Sequence, residues 1–448
     1  MKHAFRAVLL SLAAVGVAST LRAQTQDVAA RATLWDTLGD STLQQLITEA
    51  VGANQDVWAA RARVSGARAA RLDAALDFAP TVTAGGSYTR QRLASAAFPG
   101  APGVFPEQDV WDAGLQGFWE LDVFGRVRRT AQGRGALVAA AEENLEDVQV
   151  LLAGELAVAY FELRGAQDRL AVAERNAQNQ GRTLEVTLHR LEAGRGNEFD
   201  SERARAQLSS TLAGIPAQEA AIAAAQHRIG VLVGRPPLAL ERALAAGAPF
   251  PALPDSVVVS SADAVIRSRP DVRSAERQVA AGSAFVGAAQ AEYLPRVTLV
   301  GAFGYASNTF GSLGDVGKPR YAIGPVVSWP ALNLGRVKAG VDVARAREAE
   351  AKARYEQTRL RAMEEVETSL VAYSKARQSL RHLEAAAAAS ERAATLARLR
   401  FEEGATDFLQ VLDAERTTLE AQDRLAAGRT AATTGLVALY RALGGNLR

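Results

Sequence analysis

One long stretch of this chain is written twice in an unbroken register, and that restricts its fold more than any other feature of its 448 residues. Trp119, Gly125, Arg126 and Val127 return as Trp329, Gly335, Arg336 and Val337, a shift of 210 (329 − 119). The same shift carries Arg190 and Gly194 onto Arg400 and Gly404, and Val233 and Gly234 onto Leu443 and Gly444. A loop-rich globule would tolerate an insertion over such a distance. Long helices packed along their length would not, and an internal repeat of this kind sets the architecture.

Each copy reads as a long helical hairpin. Between Arg126 and Leu191 there is no proline, and Ala, Leu, Glu, Gln and Arg dominate, all good helix formers. Apolar residues recur at heptad spacing along two lines. One runs through Leu145, Leu152, Ala159, Ala166 and Ala173, the other through Leu156, Leu163, Leu170, Ala177, Leu184 and Leu191. That is a coiled-coil seam whose alanines allow close approach of neighbouring helices. About 65 residues at 1.5 Å each predict a rod of ~100 Å, longer than a compact domain.

Ahead of each hairpin the period changes from helix to strand. In 81–91, Val82, Ala84 and Tyr88 alternate with Thr81, Thr83, Ser87 and Thr89; in 110–121, Trp111, Ala113, Leu115, Trp119 and Leu121 alternate with Asp112, Gln116 and Glu120. The second copy repeats this with Val297, Leu299, Phe303 and Tyr305, then Tyr321, Ile323, Val327 and Trp329. Segments of about ten alternating residues with aromatics near their ends mark membrane barrel strands. Two such pairs, each flanked by very long helices, favour that over a pair of ordinary half-buried hairpins. Four strands cannot close a barrel, and open edges in lipid would leave backbone groups unsatisfied, so several chains must share one wall.

The predicted order is a signal peptide at 1–23, an extended lead-in at 24–40, and a first repeat at 41–234. That repeat comprises a helix at 41–78, strands at 80–92 and 109–121, and a hairpin at 126–233. A Pro-rich extended linker, 235–259, leads to a second repeat at 260–448, with a helix at 260–292, strands at 295–307 and 319–330, and a hairpin at 336–443. Lys2, His3 and Arg6 precede the apolar Ala7 to Leu21, with Ala23 the expected last residue removed, the pattern of a secretory signal. Charge is balanced, 51 basic against 49 acidic residues, with no dense basic patch, which argues against a nucleic-acid partner. The absence of cysteine excludes disulfides, thiol nucleophiles and a lipidated N-terminal Cys. His3, His189, His227 and His382 show no paired ligand spacing. We expect no enzyme, no cofactor and no metal centre, so the energy for any transport must come from a partner.

Several segments together resemble the TolC-like outer-membrane efflux proteins, most of all their OprM/NodT-type branch. They are Asp122-Val123-Phe124-Gly125-Arg126, Ile229 through Gly234 to Pro237, Arg269-Pro270-Asp271-Val272, Ala289 through Tyr293 to Pro295, and Gly404 through Leu412-Asp413-Ala414-Glu415-Arg416. The resemblance covers essentially the whole chain after the signal. It implies a mainly α fold with membrane β: a homotrimer with a shared twelve-stranded transmembrane β-barrel and a long α-helical coiled-coil barrel crossing the periplasm. It also implies a periplasmic adaptor and an inner-membrane pump, commonly of the RND type, as partners beside outer-membrane lipid. Members of this branch often carry a lipidated N-terminal Cys, which this chain lacks.

By the same resemblance, the hairpin tips Gly194, Arg195, Gly196, Asn197 and Gly404, Ala405, Thr406 are candidates for adaptor contact. Asp413 matches an aspartate that constricts the closed tunnel, and its companion one turn earlier is Gln410 here. Asp200 matches a residue that latches neighbouring helices, although its usual arginine partner falls on Thr406. Gly125–Arg126 and Gly335–Arg336 mark the two strand-to-helix junctions. The leading expectation is a passive, gated outer-membrane export duct for small molecules such as drugs or metals. Type I protein secretion is the alternative within that class, and a periplasmic coiled-coil adaptor without a pore is the alternative outside it.

Overall fold

The computed structural model describes residues 35, 38–92, 106–254, 257, 262–315 and 319–445. The expected signal at 1–23, nearly all of the lead-in, 93–105 of the first inter-strand loop and 316–318 of the second lie outside them. Eight helices and four strands follow in order: α1 Ser41–Ala53, α2 Gln55–Leu76, β1 Thr81–Gln91, β2 Gln108–Leu121, α3 Arg126–Glu192, α4 Glu198–Leu232, α5 Ala262–Ser268, α6 Pro270–Ala291, β3 Arg296–Ser307, β4 Pro319–Ser328, α7 Leu334–Glu402 and α8 Phe408–Ala442. Residues group into two compact units.

One unit comprises 59–146 and 270–361 and contains the whole sheet. Its strands run antiparallel in the order β1-β2-β3-β4. The helical segments beside them bury Val64, Val127, Val138, Val272, Ala281 and Val341. Polar groups are tied across helices: Arg273 of α6 donates to Glu143 at 2.7 Å and Glu146 at 2.6 Å, both on α3.

The other unit comprises the described residues within 35–58, 147–269 and 362–445. Its centre is α3, largely buried between Leu152 and Ala166 around Leu156, Tyr160, Phe161 and Leu163, with Glu155 and Glu162 exposed along one stripe. The Tyr160 hydroxyl donates to Asp40 at 2.6 Å, while the same carboxylate caps α1 through the Thr42 and Leu43 amides. Burial and this acceptor push the Tyr160 hydroxyl up to about 12. Helix α7 differs from α3: Val366, Tyr373, Leu380, Ala387 and Ala394 form one line of buried residues seven apart, and much of the rest stays exposed. That is a seam one residue wide, half of what a heptad pattern can offer.

Two expectations need correction. The helices expected at 41–78 and 260–292 are each broken, at Asn54 and Arg269. Asn54 is buried; its amide donates to the Leu232 carbonyl at 3.0 Å while its oxygen accepts from the Asp56 amide at 2.8 Å, starting α2. Arg269, which lies between α5 and α6 as Asn54 lies between α1 and α2, donates to the Ala442 carbonyl at 2.8 Å. Both side chains satisfy the C-terminal carbonyls of a distant helix, which a helix end otherwise leaves open.

The linker also departs from a simple extended run. It opens with a 3-10 turn, Pro237–Leu240, and buries Leu240 and Leu244. Gln167 donates to the Leu244 carbonyl at 2.8 Å and Tyr373 to that of Pro254 at 2.5 Å, strapping it onto α3 and α7.

Candidate functional site

Register assigns every strand residue to a face, because directly paired residues in an antiparallel sheet project to the same side. Tyr88 pairs with Trp111, Leu115 with Phe303, and Phe303 with Tyr321. This face also carries Val82, Trp119, Leu299, Ile323 and Val327, and many of its apolar side chains are exposed. The opposite face pairs Thr83 with Gln116, Ser87 with Asp112, Gly114 with Gly304, and Ala302 with Ala322. One side is thus almost wholly apolar and aromatic, while the other is mainly polar or small, with Val110, Phe118, Val300 and Val326 as its larger apolar side chains. Strands β1 and β4 are each paired on one side only among the described residues.

The two strand-to-helix junctions are less alike than their sequences. Gly125 has φ +82 and precedes α3, whose first amides, Val127 and Arg128, are capped by Asp122 at 2.9 and 3.0 Å. Arg126 grips Glu120 of β2 with two hydrogen bonds of 2.6 and 2.8 Å. Gly335 and Arg336 lie inside the first turn of α7. Leu332, at the place matching Asp122, is almost wholly exposed, and the Asn333 carbonyl accepts from the Arg336 and Val337 amides instead. What the junctions share is a tryptophan: Trp119 donates its indole N–H to the Phe78 carbonyl and Trp329 to the Tyr293 carbonyl, both at 3.0 Å.

The hairpin tips are built alike. Gly194 and Gly404 have φ +70 and +76. The Arg195 and Ala405 amides each reach back to a carbonyl five residues earlier at 2.8 Å, the Schellman arrangement that a left-handed residue permits. Asn197 then caps α4 through the Asp200 amide at 2.8 Å, and Asp407 caps α8 through the Gln410 amide at 3.1 Å. Gly196 packs against the end of α3, where an added Cβ would lie 3.0 Å from the Leu191 nitrogen. The tips are exposed, and beside them Phe199 and Leu409 are exposed too, an apolar pair that sequence reasoning passed over. Arg190 stacks 4.0 Å above the Phe401 ring and donates to the Phe401 carbonyl at 3.1 Å, stapling one hairpin to the other.

Just past the second tip, Asp413 is exposed on α8 and accepts from Arg416 at 2.8 Å. The Thr406 hydroxyl donates to Gln410 at 2.5 Å, so these two side chains engage each other within one chain. Asp200 is half-buried on α4. Two residues beyond Asp413 lies a group not anticipated: Glu415, buried between α3, α7 and α8, with one oxygen accepting from Thr183 at 2.9 Å and the other without a partner. Burial pushes its carboxyl up, opposed by Thr183 and by Arg398 at 3.8 Å. No cluster of three or more His, Asp or Glu able to hold a metal occurs among the described residues. No described helix is long and apolar enough to cross a membrane.

A four-stranded sheet whose strand pairs alternate with capped helical hairpins is the mainly helical architecture of the outer-membrane channels to which this chain is similar. This chain belongs to the outer membrane efflux protein family, whose model matches residues 46–235 and 262–445. It is 30% identical over 413 residues to the solvent efflux pump outer membrane protein SrpC of Pseudomonas putida, covering 91% of this chain and 86% of that one. Nodulation protein T of Rhizobium leguminosarum bv. trifolii is 28% identical over 398 residues, covering 88% and 83%. The solved outer-membrane channel OprN superposes with a TM-score of 0.85 at 38% identity, covering 92% of both chains. The proteins of this family are outer-membrane channels and not enzymes.

Proposed function

We propose that the chain is one subunit of a homotrimer. In it, three four-stranded sheets join edge to edge as a twelve-stranded barrel in the outer membrane, and the hairpins enclose a periplasmic tunnel. The single observation that carries this reading is the sheet, with one apolar aromatic face, one face that is mainly polar or small, and, among the described residues, two open edges. Open edges are not tolerated in lipid, and membrane barrels need about eight strands or more, so neighbouring copies must supply the missing pairings. Helix α7 supports it: Leu360, Met363, Val371, Leu396 and Leu399 are exposed, an apolar surface suited to a second copy.

The duct is passive. An inner-membrane pump of the RND type supplies the energy, and a periplasmic adaptor docks on the tips around Arg195, Gly196, Asn197, Ala405 and Thr406. Gating lies at the narrow end, with Asp413 as a ring of three carboxylates and Gln410 and Asp200 beside it. The cargo is small molecules, a reading supported by the solvent efflux named for SrpC. The chain is exported with a cleaved signal and held by its barrel, since it has no cysteine to carry lipid.

Purification in detergent followed by light scattering and planar-bilayer recording tests this. Three chains per particle and discrete single-channel currents are expected. A water-soluble monomer that needs no detergent would overturn it. Deletion of the gene separates the cargo classes: sensitivity to small toxicants supports efflux, whereas loss of a secreted protein with unchanged sensitivity points to type I secretion.

A further inference from the structure

On the polar face, ion pairing crosses a whole strand. Arg320 of β4 pairs with Asp112 of β2, although β3 lies between them. Neighbouring strands are about 4.8 Å apart, so the guanidinium must span roughly two spacings and lie flat over β3. The register shows what clears its path. Arg320 is opposite Gly304, Gly304 is opposite Gly114, and Asp112 is opposite Ala306. The row continues through Gly114 to Gly85 on β1. Gly114 and Gly304 come so close that a Cβ added to Gly114 would sit 2.6 Å from the Phe303 carbonyl oxygen, and one added to Gly304 would sit 2.6 Å from that of Ala113. A bare glycine lane therefore crosses the sheet, and the one long cationic side chain at its edge runs over it. The arginine side chain stays 62% exposed and the aspartate 25%. The remaining charges on this face of the strands, Glu120 and Arg296, pair with Arg126 and Glu292 near the other end of their strands.

We infer that the Arg320–Asp112 pair is a selectivity-determining element of the duct: a charge-compensated bar on its water-facing wall, near the ends of β2 and β4 where the inter-strand loops begin. The inference rests on the barrel reading above and adds to it a residue-level control on ions. In a trimer the bar repeats three times around the bore. While it is intact the two charges cancel, and the wall favours neither sign of permeant ion. Removing one partner leaves a ring of three like charges.

Asp112→Asn channels are expected to raise the chloride-to-potassium permeability ratio, and Arg320→Gln channels to lower it, each on the order of twofold in a wide bore at low salt. The double variant returns towards the parent. Both shifts shrink at 1 M salt, where screening acts within about 3 Å. Because the chain has no cysteine, a single introduced thiol reports its surroundings even where a charge variant fails to assemble. Currents through Ala306→Cys channels should fall stepwise with a charged, membrane-impermeant thiol reagent, and those through Tyr305→Cys channels should not. Conducting channels with unchanged selectivity, or a reagent response at Tyr305→Cys and none at Ala306→Cys, would overturn the bar while leaving the barrel standing. Absence of any conductance in the parent protein would remove both.

Discussion

Glu415 shows how much a single carboxylate can depend on its surroundings. It lies in the run Leu412–Arg416, where sequence places it beside Asp413, yet Asp413 is exposed and Glu415 buried. Burial holds its proton more tightly than an unfolded glutamate does near pH 4.5. The folded state therefore binds the extra proton, and the stabilising contribution is complete below that pH and is lost as pH rises through the folded value. Glu415→Gln should be more stable than the parent at pH 7, by about 1 kcal/mol, or about 2–4 °C in Tm for a domain of this size. It should also show a flatter dependence of Tm on pH. Calorimetry between pH 4 and pH 8 checks both; a loss of stability at pH 7 would mean that the ionised carboxylate holds Thr183 and Arg398 in place. Asn54 and Arg269 were equally hidden, because their partners, the carbonyls of Leu232 and Ala442, lie more than 170 residues away.

At the scale of elements, periodicity carries most of the information. The seven-residue spacing of α3 predicts two buried lines; Leu152, Leu156, Ala159, Leu163, Ala166 and Ala177 are buried, whereas Leu145, Leu170, Ala173, Leu184 and Leu191 are half-buried. The alternation in β1 to β4 predicts two unlike faces, and register assigns them. What periodicity misses is a break that costs no pattern, such as those at Asn54 and Arg269, or a turn such as Pro237–Leu240. The tips are legible because glycine at a left-handed position is a local requirement. Gly404→Val forces a β-branched side chain to φ +76, at a cost of about 2 kcal/mol. With Gly194→Val added, adaptor-dependent export should fall sharply while heat-stable oligomer persists on gels. Loss of the oligomer would make the tips structural rather than a docking surface.

On the whole-molecule scale, properties emerge that one subunit cannot have. A ring of carboxylates at Asp413 exists only if three copies meet. Within one chain each Asp413 pairs with Arg416 at 2.8 Å, which also reaches Glu420 at 3.3 Å. Asp413→Ala should therefore weaken cation selectivity in bilayers, whereas Arg416→Ala, which frees the carboxylate, should strengthen it, each by about two- to fivefold in permeability ratio. Unchanged selectivity in both would take Asp413 away from the constriction. The open edges of β1 and β4 and the thin seam of α7 belong to this scale as well. Each is a surface that a monomer leaves unsatisfied.

The amino-acid order alone determined the duplication, the alternation of strand pairs with long hairpins, and the places of the glycine caps. Those depend on residues close together in the chain, where period and backbone preference act. Only the tertiary structure decided that Glu415 is buried, that Asn54 and Arg269 end one helix by satisfying another, and that a lane of glycines lets Arg320 reach Asp112. Each of these joins residues far apart in the chain, and nothing local to either partner encodes what the other will present.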